Sequence, residues 1–411
     1  MQILPNHNKT YKDNIKLGVI MKHILIKLPN WLGDAMMLTP TIDFLVRIFP
    51  NVKIILVGNN LSSSVFSIQD SIIKIFIDNT KKAKGIINRI GSTMTLANDI
   101  NSYLYTQNIT LDCAITTQNN FFSAFLISKI TAKKHIGYGD KNIVGMRKFF
   151  LTDIVKYKSG RPPECTHQVL SYIHLLLPIL PYSFFKDYPL DTKASHYNQS
   201  ASRIQNILYQ EAKELKLYIP ITTQKGHQNI IAISTGASYG DSKMWLISHF
   251  IEIIIDFVKK GYMIRIYGTQ SETDRNNKIE QEANKALPKN YQDKIENLSG
   301  KTNIQELTNS LNECKLYIGN DSGTTHIARA LKIPSIIIFG PMPFAWCSPW
   351  SKSQIIKKDS HYITDNAISI QKDLDCVPCK QKTCPLKHHN CMKLITPDEV
   401  LKLSYTLLKN E

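Results

Sequence analysis

Residues 23–58 read HILIKLPNWLGDAMMLTPTIDFLVRIFPNVKIILVG, two short β-branched runs either side of an amphipathic stretch. His23–Pro29 and Lys53–Gly58 predict strands, and Ala35–Phe49 predicts the helix between them. Apolar runs this continuous, joined by a helix, point to parallel strands buried on both faces of a sheet. The same alternation continues outward. Ile72–Asp78, Leu111–Thr117 and His135–Tyr138 read as further strands, with a helix predicted over Asn120–Ile130.

Around residues 156–228 the pattern breaks, with Pro162, Pro163, Pro178, Pro181, Pro189 and Pro220 among helical pieces near His167–Leu177 and Ser200–Leu217. It then restarts. Asn229–Thr235, Met263–Gly268, Glu296–Ser299, Leu316–Asn320 and Ser335–Gly340 read as strands, and Leu246–Lys260 and Asn303–Cys314 as helices with an apolar stripe. Thr396–Lys409 offers an N-cap, a proline at the first helical position and acids in the first turn. The expected architecture is α/β, two Rossmann-like doubly wound domains facing across a cleft. The expected division is an extension over 1–21, a first domain over 22–190, a linker or edge segment over 191–228, a second domain over 229–375, and a cysteine-rich tail with a final helix over 376–411.

Composition narrows the class. Of 411 residues, 43% are hydrophobic and 20% charged, a globular balance. No stretch of eighteen uncharged apolar residues predicts a membrane span, and the polar first twenty residues do not read as a signal peptide. A cytoplasmic protein is the expectation. The net charge of +17 is concentrated in residues 1–190, where 22 basic residues face 11 acidic ones. Such an excess suits an anionic partner, whether nucleic acid, a membrane surface or a phosphorylated substrate; a lysine-rich codon bias accounts for it equally well.

Four loops carry chemistry. Gly319–His326, GNDSGTTH, follows a strand and opens a helix, so its free N–H groups form an anion site suited to a diphosphate. Asp321, Ser322, Gly323 and Thr324 are the candidate contacts. Asp321 also suits an N-cap, and His326 alone reads as a packed helix residue. Ser234–Trp245, STGASYGDSKMW, places hydroxyls of Ser234 and Thr235 at a strand end and Lys243 before a helix, able to hold phosphate oxygens from two sides. Glu272, just past the strand ending at Gly268, suits the vicinal hydroxyls of a ribose, or else a first-turn position favoured by the helix dipole. In Pro29–Asp34, Gly33 permits a tight turn, and Asp34 suits a general base, an N-cap, or both.

These segments resemble glycosyltransferase family 9, the heptosyltransferases. The likeness runs from Met21 onward and is strongest in KLPNWLGDAMMLTP, GNDSGTTHIARAL and IPSIIIFGP, extending to CVPCKQKTCPLKHHNCM. The resemblance implies a GT-B fold and transfer of L-glycero-D-manno-heptose from ADP-heptose, with inversion, to the inner core of lipopolysaccharide, a heptosyl-Kdo2-lipid A acceptor. It implies Asp34 as base, Lys243 with Thr235 on the donor phosphates, Glu272 on the ribose, the Asp321–His326 stretch around the donor, and adenine near Thr302. Lys133, Lys134, Lys141, Arg147 and Lys148 would then meet acceptor phosphates, carboxylates or the inner face of the inner membrane, or else form a solvated face. The long polar N-terminus and residues 81–107 depart from the family pattern.

Cys376, Cys379, Cys384 and Cys391 space like a compact, irregular structural zinc site, with free thiols as the alternative and disulfides disfavoured in a reducing cytosol. No metal or other cofactor is expected in the chemistry. Within enzymes, the alternatives are a different heptose acceptor or a UDP-sugar donor. A nucleic-acid-binding module is disfavoured: no helix-turn-helix, RNP-type or zinc-finger spacing appears.

Overall fold

A computed structural model describes residues 21–139, 147–155, 167–181, 208–222, 228–351, 353 and 355–409. The first lobe carries β1 (His23–Lys27), β2 (Lys53–Gly58), β3 (Ile72–Ile77), β4 (Cys113–Thr116), β5 (His135–Tyr138) and β6 (Asp153–Val155) in one sheet of order β3-β2-β1-β4-β5-β6. All its neighbours pair in parallel. The second lobe carries β7 (Gln228–Ser234), β8 (Met263–Tyr267), β9 (Ile295–Asn297), β10 (Cys314–Asn320) and β11 (Ser335–Ile338). Three more strands follow, β12 (Ile356–Lys358), β13 (His361–Thr364) and β14 (Ala367–Ile370), giving the order β12-β13-β14-β11-β10-β7-β8-β9. Pairing is parallel except at the β12-β13-β14 edge.

Each sheet reverses its winding once. In the first the reversal falls between β1 and β4, in the second between β7 and β10. A crevice opens beyond the strand carboxyl ends at such a switch point, because the connections leave to opposite sides. All four chemistry-bearing segments except that of Glu272, which lies one strand further on, belong to these two crevices.

The helix Leu32–Ile48 starts three residues before the predicted Ala35. Its N-cap is Trp31, which makes no side-chain cap bond, so Asp34 sits inside the first turn rather than capping it. Pro40 inside the helix cannot donate to Met36, and the Thr39 hydroxyl supplies that carbonyl with a bond of 2.8 Å instead. The helix Ile247–Lys259 buries Phe250, Ile253, Ile254, Phe257 and Val258 along one stripe against the second sheet. Each such side chain contributes about 1.5–3 kcal/mol on burial. The stretch 81–107, where the chain departs from the family pattern, forms a 21-residue helix, Ile86–Thr106, that packs Ala97, Ile100 and Leu104 beneath the first sheet. Leu208, Ala212, Leu215 and Leu217, part of the segment read as a linker, join the first lobe's core. The start of the helix predicted over Ser200–Leu217, and Lys141, lie outside the described residues.

Candidate active site

The lobes meet where two helix N-termini touch. A Cβ on Gly323 would stand 2.9 Å from Leu32 Cβ, and one on Gly33 would stand 3.0 Å from His326 Cδ2. Gly33 therefore serves close approach between the lobes. The tight turn expected of it is absent, since neither glycine is among the described residues of positive φ. This contact carries Asp34 into the neighbourhood of the second lobe's charges.

Asp34 is half-buried where the two lobes meet. Burial raises its pKa to about 6, Asp321 adds to the rise, and Lys243 and a hydrogen bond from Tyr172 oppose it. Asp34 also borders a cleft of about 310 Å³ lined by Pro29, Asn30, Trp31, Thr117, Gln118, Asn119, Asn120, Gln168 and Tyr172. The cleft occupies the β1/β4 switch point, and its wall is almost free of charge. Its amides are braced: Gln118 donates to the Leu28 carbonyl and accepts from Asn30 (3.0 Å) and Asn120 (2.8 Å). Polyol hydroxyls match such a wall, because each amide offers a donor and an acceptor.

At the β7/β10 switch point, Lys243 Nζ meets Asp321 Oδ2 at 2.6 Å, with both side chains almost wholly buried. Burial lowers the Lys243 pKa, but Asp321 outweighs it, so the ammonium stays charged. The Cys347 thiol donates to the same Asp321 oxygen at 3.2 Å. Asp321 is thus committed to Lys243 rather than to the cap it suited. The helix Gly323–Ala330 has Ser322 as N-cap with no side-chain cap bond, leaving its first N–H groups for a ligand. Thr324 is half-buried in that first turn. His326 is neutral at physiological pH: burial takes its pKa down to about 4, and its Nδ1 has no hydrogen-bond partner among the described residues.

Thr235 corrects the sequence reading. It is fully buried and its hydroxyl donates to Asn276, so it fixes the loop and presents no side chain to a phosphate. Ser234 is buried too, at the end of β7. Asn320, unnoticed in the sequence, ties the crevice together: its Nδ2 donates to the Thr235 carbonyl at 2.7 Å and its Oδ1 accepts from the Trp245 amide at 3.1 Å. Glu272 takes the first-turn position considered for it. Its Oε2 caps the turn by accepting from Thr269 N at 2.7 Å, and its carboxylate lies over Gly236, where a Cβ would fall 1.7 Å from Oε1. Thr302 sits on the loop after β9, joined to the Glu272 loop by Gly300 N–H donating to the Gly268 carbonyl at 3.0 Å.

The basic acceptor surface divides. Lys133 and Lys134 precede β5, at the strand ends opposite the cleft, and are engaged with Asp112 (2.8 Å) and Asp153 (3.5 Å). That end of the sheet lies away from the cleft at the β1/β4 switch point. Lys148 is exposed beside Phe149. Arg147 is buried, with Nε and Nη2 unpartnered among the described residues, and Nη2 lies 3.3 Å from where a Gly137 Cβ would be, beside Thr116. The tail cysteines converge: Cys376, Cys379, Cys384 and Cys391 line one small cavity with His388 and His389. All four are free thiols, and no group of three or more His, Cys, Asp or Glu among the described residues stands in metal-ligand arrangement.

Two doubly wound lobes, each with its crevice turned to the other, define the GT-B class of glycosyltransferases. The model of glycosyltransferase family 9 (heptosyltransferase) matches residues 107–389, and the chain belongs to this family. It is 29% identical over 389 residues to the lipooligosaccharide heptosyltransferase 2 of Campylobacter jejuni serotype O:2, covering 94% of this chain and 98% of that one. The O:6 serotype protein of the same name is 30% identical, with 92% and 97% covered. Among solved structures, Escherichia coli ADP-heptose lps heptosyltransferase II superimposes with a TM-score of 0.65 at 21% identity, covering 95% and 99%. E. coli heptosyltransferase WaaC with ADP-2-deoxy-2-fluoro heptose gives a TM-score of 0.59 at 15% identity, covering 95% and 100%. The protein is a glycosyltransferase, and the nucleic-acid reading falls away.

Proposed function

We propose that this enzyme transfers heptose from ADP-heptose to a heptosyl-Kdo2-lipid A acceptor in lipopolysaccharide core assembly, inverting the anomeric carbon. The observation that carries the reading is Asp34, a half-buried carboxylate whose pKa is raised to about 6, between a hydroxyl-matching cleft and a lysine-bearing crevice. A base with a pKa of about 6 is ionised at pH 7 yet basic enough to take a proton from an alcohol as the new bond forms. The acceptor hydroxyl oxygen attacks the anomeric carbon, its proton passes to Asp34, and the bond to ADP breaks on the opposite face. Lys243 and the amides at Ser322–Thr324 offset the charge on the departing diphosphate, with no metal needed for that task. Glu272 takes the ribose hydroxyls and the loop at Thr302 borders the adenine. The relatives' names and the ADP-heptose analogue in the WaaC structure support the donor.

Arg147 is the acceptor-side cation the reading retains, since its Nε and Nη2, unpartnered among the described residues, suit a Kdo carboxylate. For a lipid-anchored acceptor, a peripheral position on an anionic bilayer follows. Ile86 and Ile87 are 72% and 84% exposed at the start of their helix, next to Lys81, Lys82, Lys84 and Arg89. An apolar pair ringed by cations is the surface an interfacial helix end presents. Among the described residues no helix is long and apolar enough to cross a membrane.

The test is to incubate the protein with ADP-heptose and truncated core acceptors, then determine product mass and anomeric configuration. One added heptose of inverted configuration is expected on the heptosyl-Kdo2 acceptor. Transfer from UDP-sugars alone, or retention of configuration, contradicts the proposal.

A further inference from the structure

Trp31 occupies the N-cap of the helix Leu32–Ile48, where a short polar side chain would ordinarily close the first turn, and its side chain makes no such bond. The indole is 53% exposed, in a chain whose Trp245 is wholly buried. Among the described residues neither a hydrogen bond nor an aromatic contact holds it. Neither the unmade cap nor the wet ring stabilises the fold. Both are accounted for by a ligand that covers the ring, and Trp31 borders the cleft of about 310 Å³ at the β1/β4 switch point.

The rest of the cleft says what that ligand is. The chain carries 50 lysines and arginines against 33 acids, yet among the described residues no lysine, arginine or histidine lines this cleft. Asp34 is the one charged residue in its wall. The other polar groups are amides and hydroxyls held in fixed directions. Gln118 donates to the Leu28 carbonyl at 2.5 Å and accepts from Asn30 and Asn120, and Asn59 donates to the Asn30 carbonyl at 3.0 Å. Gln168 bonds Tyr172, which in turn bonds Asp34. A sugar ring has an apolar face of C–H groups and an edge of hydroxyls. The face matches an exposed indole, and the edge matches amides that both give and take hydrogen bonds. A phosphate or carboxylate on the same ring would shed its water here with no cation to meet it, and would face the Asp34 carboxylate.

We propose that Trp31 and the amide wall around Gln118 set the acceptor specificity. An uncharged sugar ring stacks on the indole with its attacking hydroxyl at Asp34, and the same ring bearing a phosphate or carboxylate is refused. A reaction that phosphorylates this sugar must therefore follow the transfer rather than precede it. Acidic sugars further along the acceptor stay outside the cleft, whose wall does not include Arg147. This specificity rests on the reading of Asp34 as the base, which is what places the acceptor here.

The test uses the full chain with two soluble acceptors, heptosyl-Kdo2 trisaccharide and the same molecule phosphorylated on its heptose. Calorimetry in the presence of ADP is expected to show the unphosphorylated acceptor binding about a hundredfold more tightly, and kcat/KM with ADP-heptose to show the same preference. Trp31→Ala is expected to raise acceptor KM about thirtyfold while kcat changes less than about threefold, and Trp31→Phe to recover most of the loss. Asn119 is exposed in the same wall and takes no part in the Gln118 brace. Asn119→Lys puts a cation there and is expected to narrow the preference about tenfold, a change that loss of structure alone would not produce. Equal use of both acceptors by the parent overturns the refusal of charge, as does an unchanged preference in Asn119→Lys. An acceptor KM in Trp31→Ala within about twofold of the parent overturns the stacking platform. Should the parent bind the uncharged acceptor through Trp31 yet transfer no heptose, the transfer reading falls and this one stands; should Trp31→Ala transfer heptose unimpaired, the reverse holds.

Discussion

The two switch-point crevices are built on opposite electrostatic principles. The first-lobe cleft is neutral apart from one half-buried carboxylate, Asp34, whose pKa partial desolvation raises, set among amides cross-linked through Gln118. The second-lobe crevice is charged: Lys243 and Asp321 sit at 2.6 Å beside an uncapped helix start. A neutral acceptor sugar must be oriented and lose a proton, whereas a departing diphosphate must have its charge met. In the proposed reaction, the lobe that takes the acceptor hydroxyl supplies the base, and the lobe that takes the diphosphate supplies the cation. Placing Asp34 by the glycine-to-glycine seam between the lobes lets each crevice act on the other's substrate.

Exchanging the charges separates these roles. Asp34→Asn is expected to lower turnover by about a thousandfold or more while ADP binding stays within about threefold, measured by product formation and calorimetry. Lys243→Ala is expected to weaken ADP binding and cut kcat/KM by about a hundredfold, with acceptor KM little changed. A variant pair that fails to show this crossover breaks the comparison.

The seam sharpens it. Gly323→Val forces a side chain into Leu32, which already lies 2.9 Å from a Cβ at that place. A loss of about ten- to a hundredfold in kcat/KM is expected from misplacing Asp34, without loss of the individual lobe folds by circular dichroism.

Stability gives a smaller effect of defined sign. The folded pKa of Asp34, about 6, lies above the ordinary carboxylate value of about 4, so its stabilising contribution is complete below about pH 4 and is lost as pH rises through 6. Asp34→Asn is therefore expected to be more stable than the parent at pH 7.5 by up to about 3 kcal/mol, seen as a higher unfolding temperature. The gap should close towards pH 4. Tyr172→Phe removes a hydrogen bond that favours the Asp34 carboxylate, so the acid limb of kcat/KM should move to higher pH with about a fewfold loss of rate. Acceptor-side variants such as Gln118→Ala should leave that limb in place.

Much of this was legible in the sequence because period and punctuation carry it. Continuous apolar strands with intervening helices fixed both parallel sheets, and small residues after β1, β7 and β10 marked the loops. The antiparallel edge β12-β13 was not visible, since Ile356–Lys358 is exposed and shows no apolar run. Side-chain direction was also hidden. Nothing local distinguishes the inward hydroxyl of Thr235 from a ligand-facing one, because its partner Asn276 is 41 residues away. Lys133 and Lys134 looked like a free basic face, but their acids, Asp112 and Asp153, come from neighbouring strands. Gln118 and Tyr172 carried no motif and gained meaning only when the β1/β4 switch point put them beside Asp34.

Carboxyl-carbon NMR titration of Asp34 in the donor-free protein tests the geometry most directly, using Asp34→Asn to assign the signal. A midpoint near 6 is predicted, moving higher in Lys243→Ala because the facing ammonium is lost. A midpoint near the ordinary value of about 4, indifferent to Lys243, would contradict a desolvated base poised across the seam from the donor crevice.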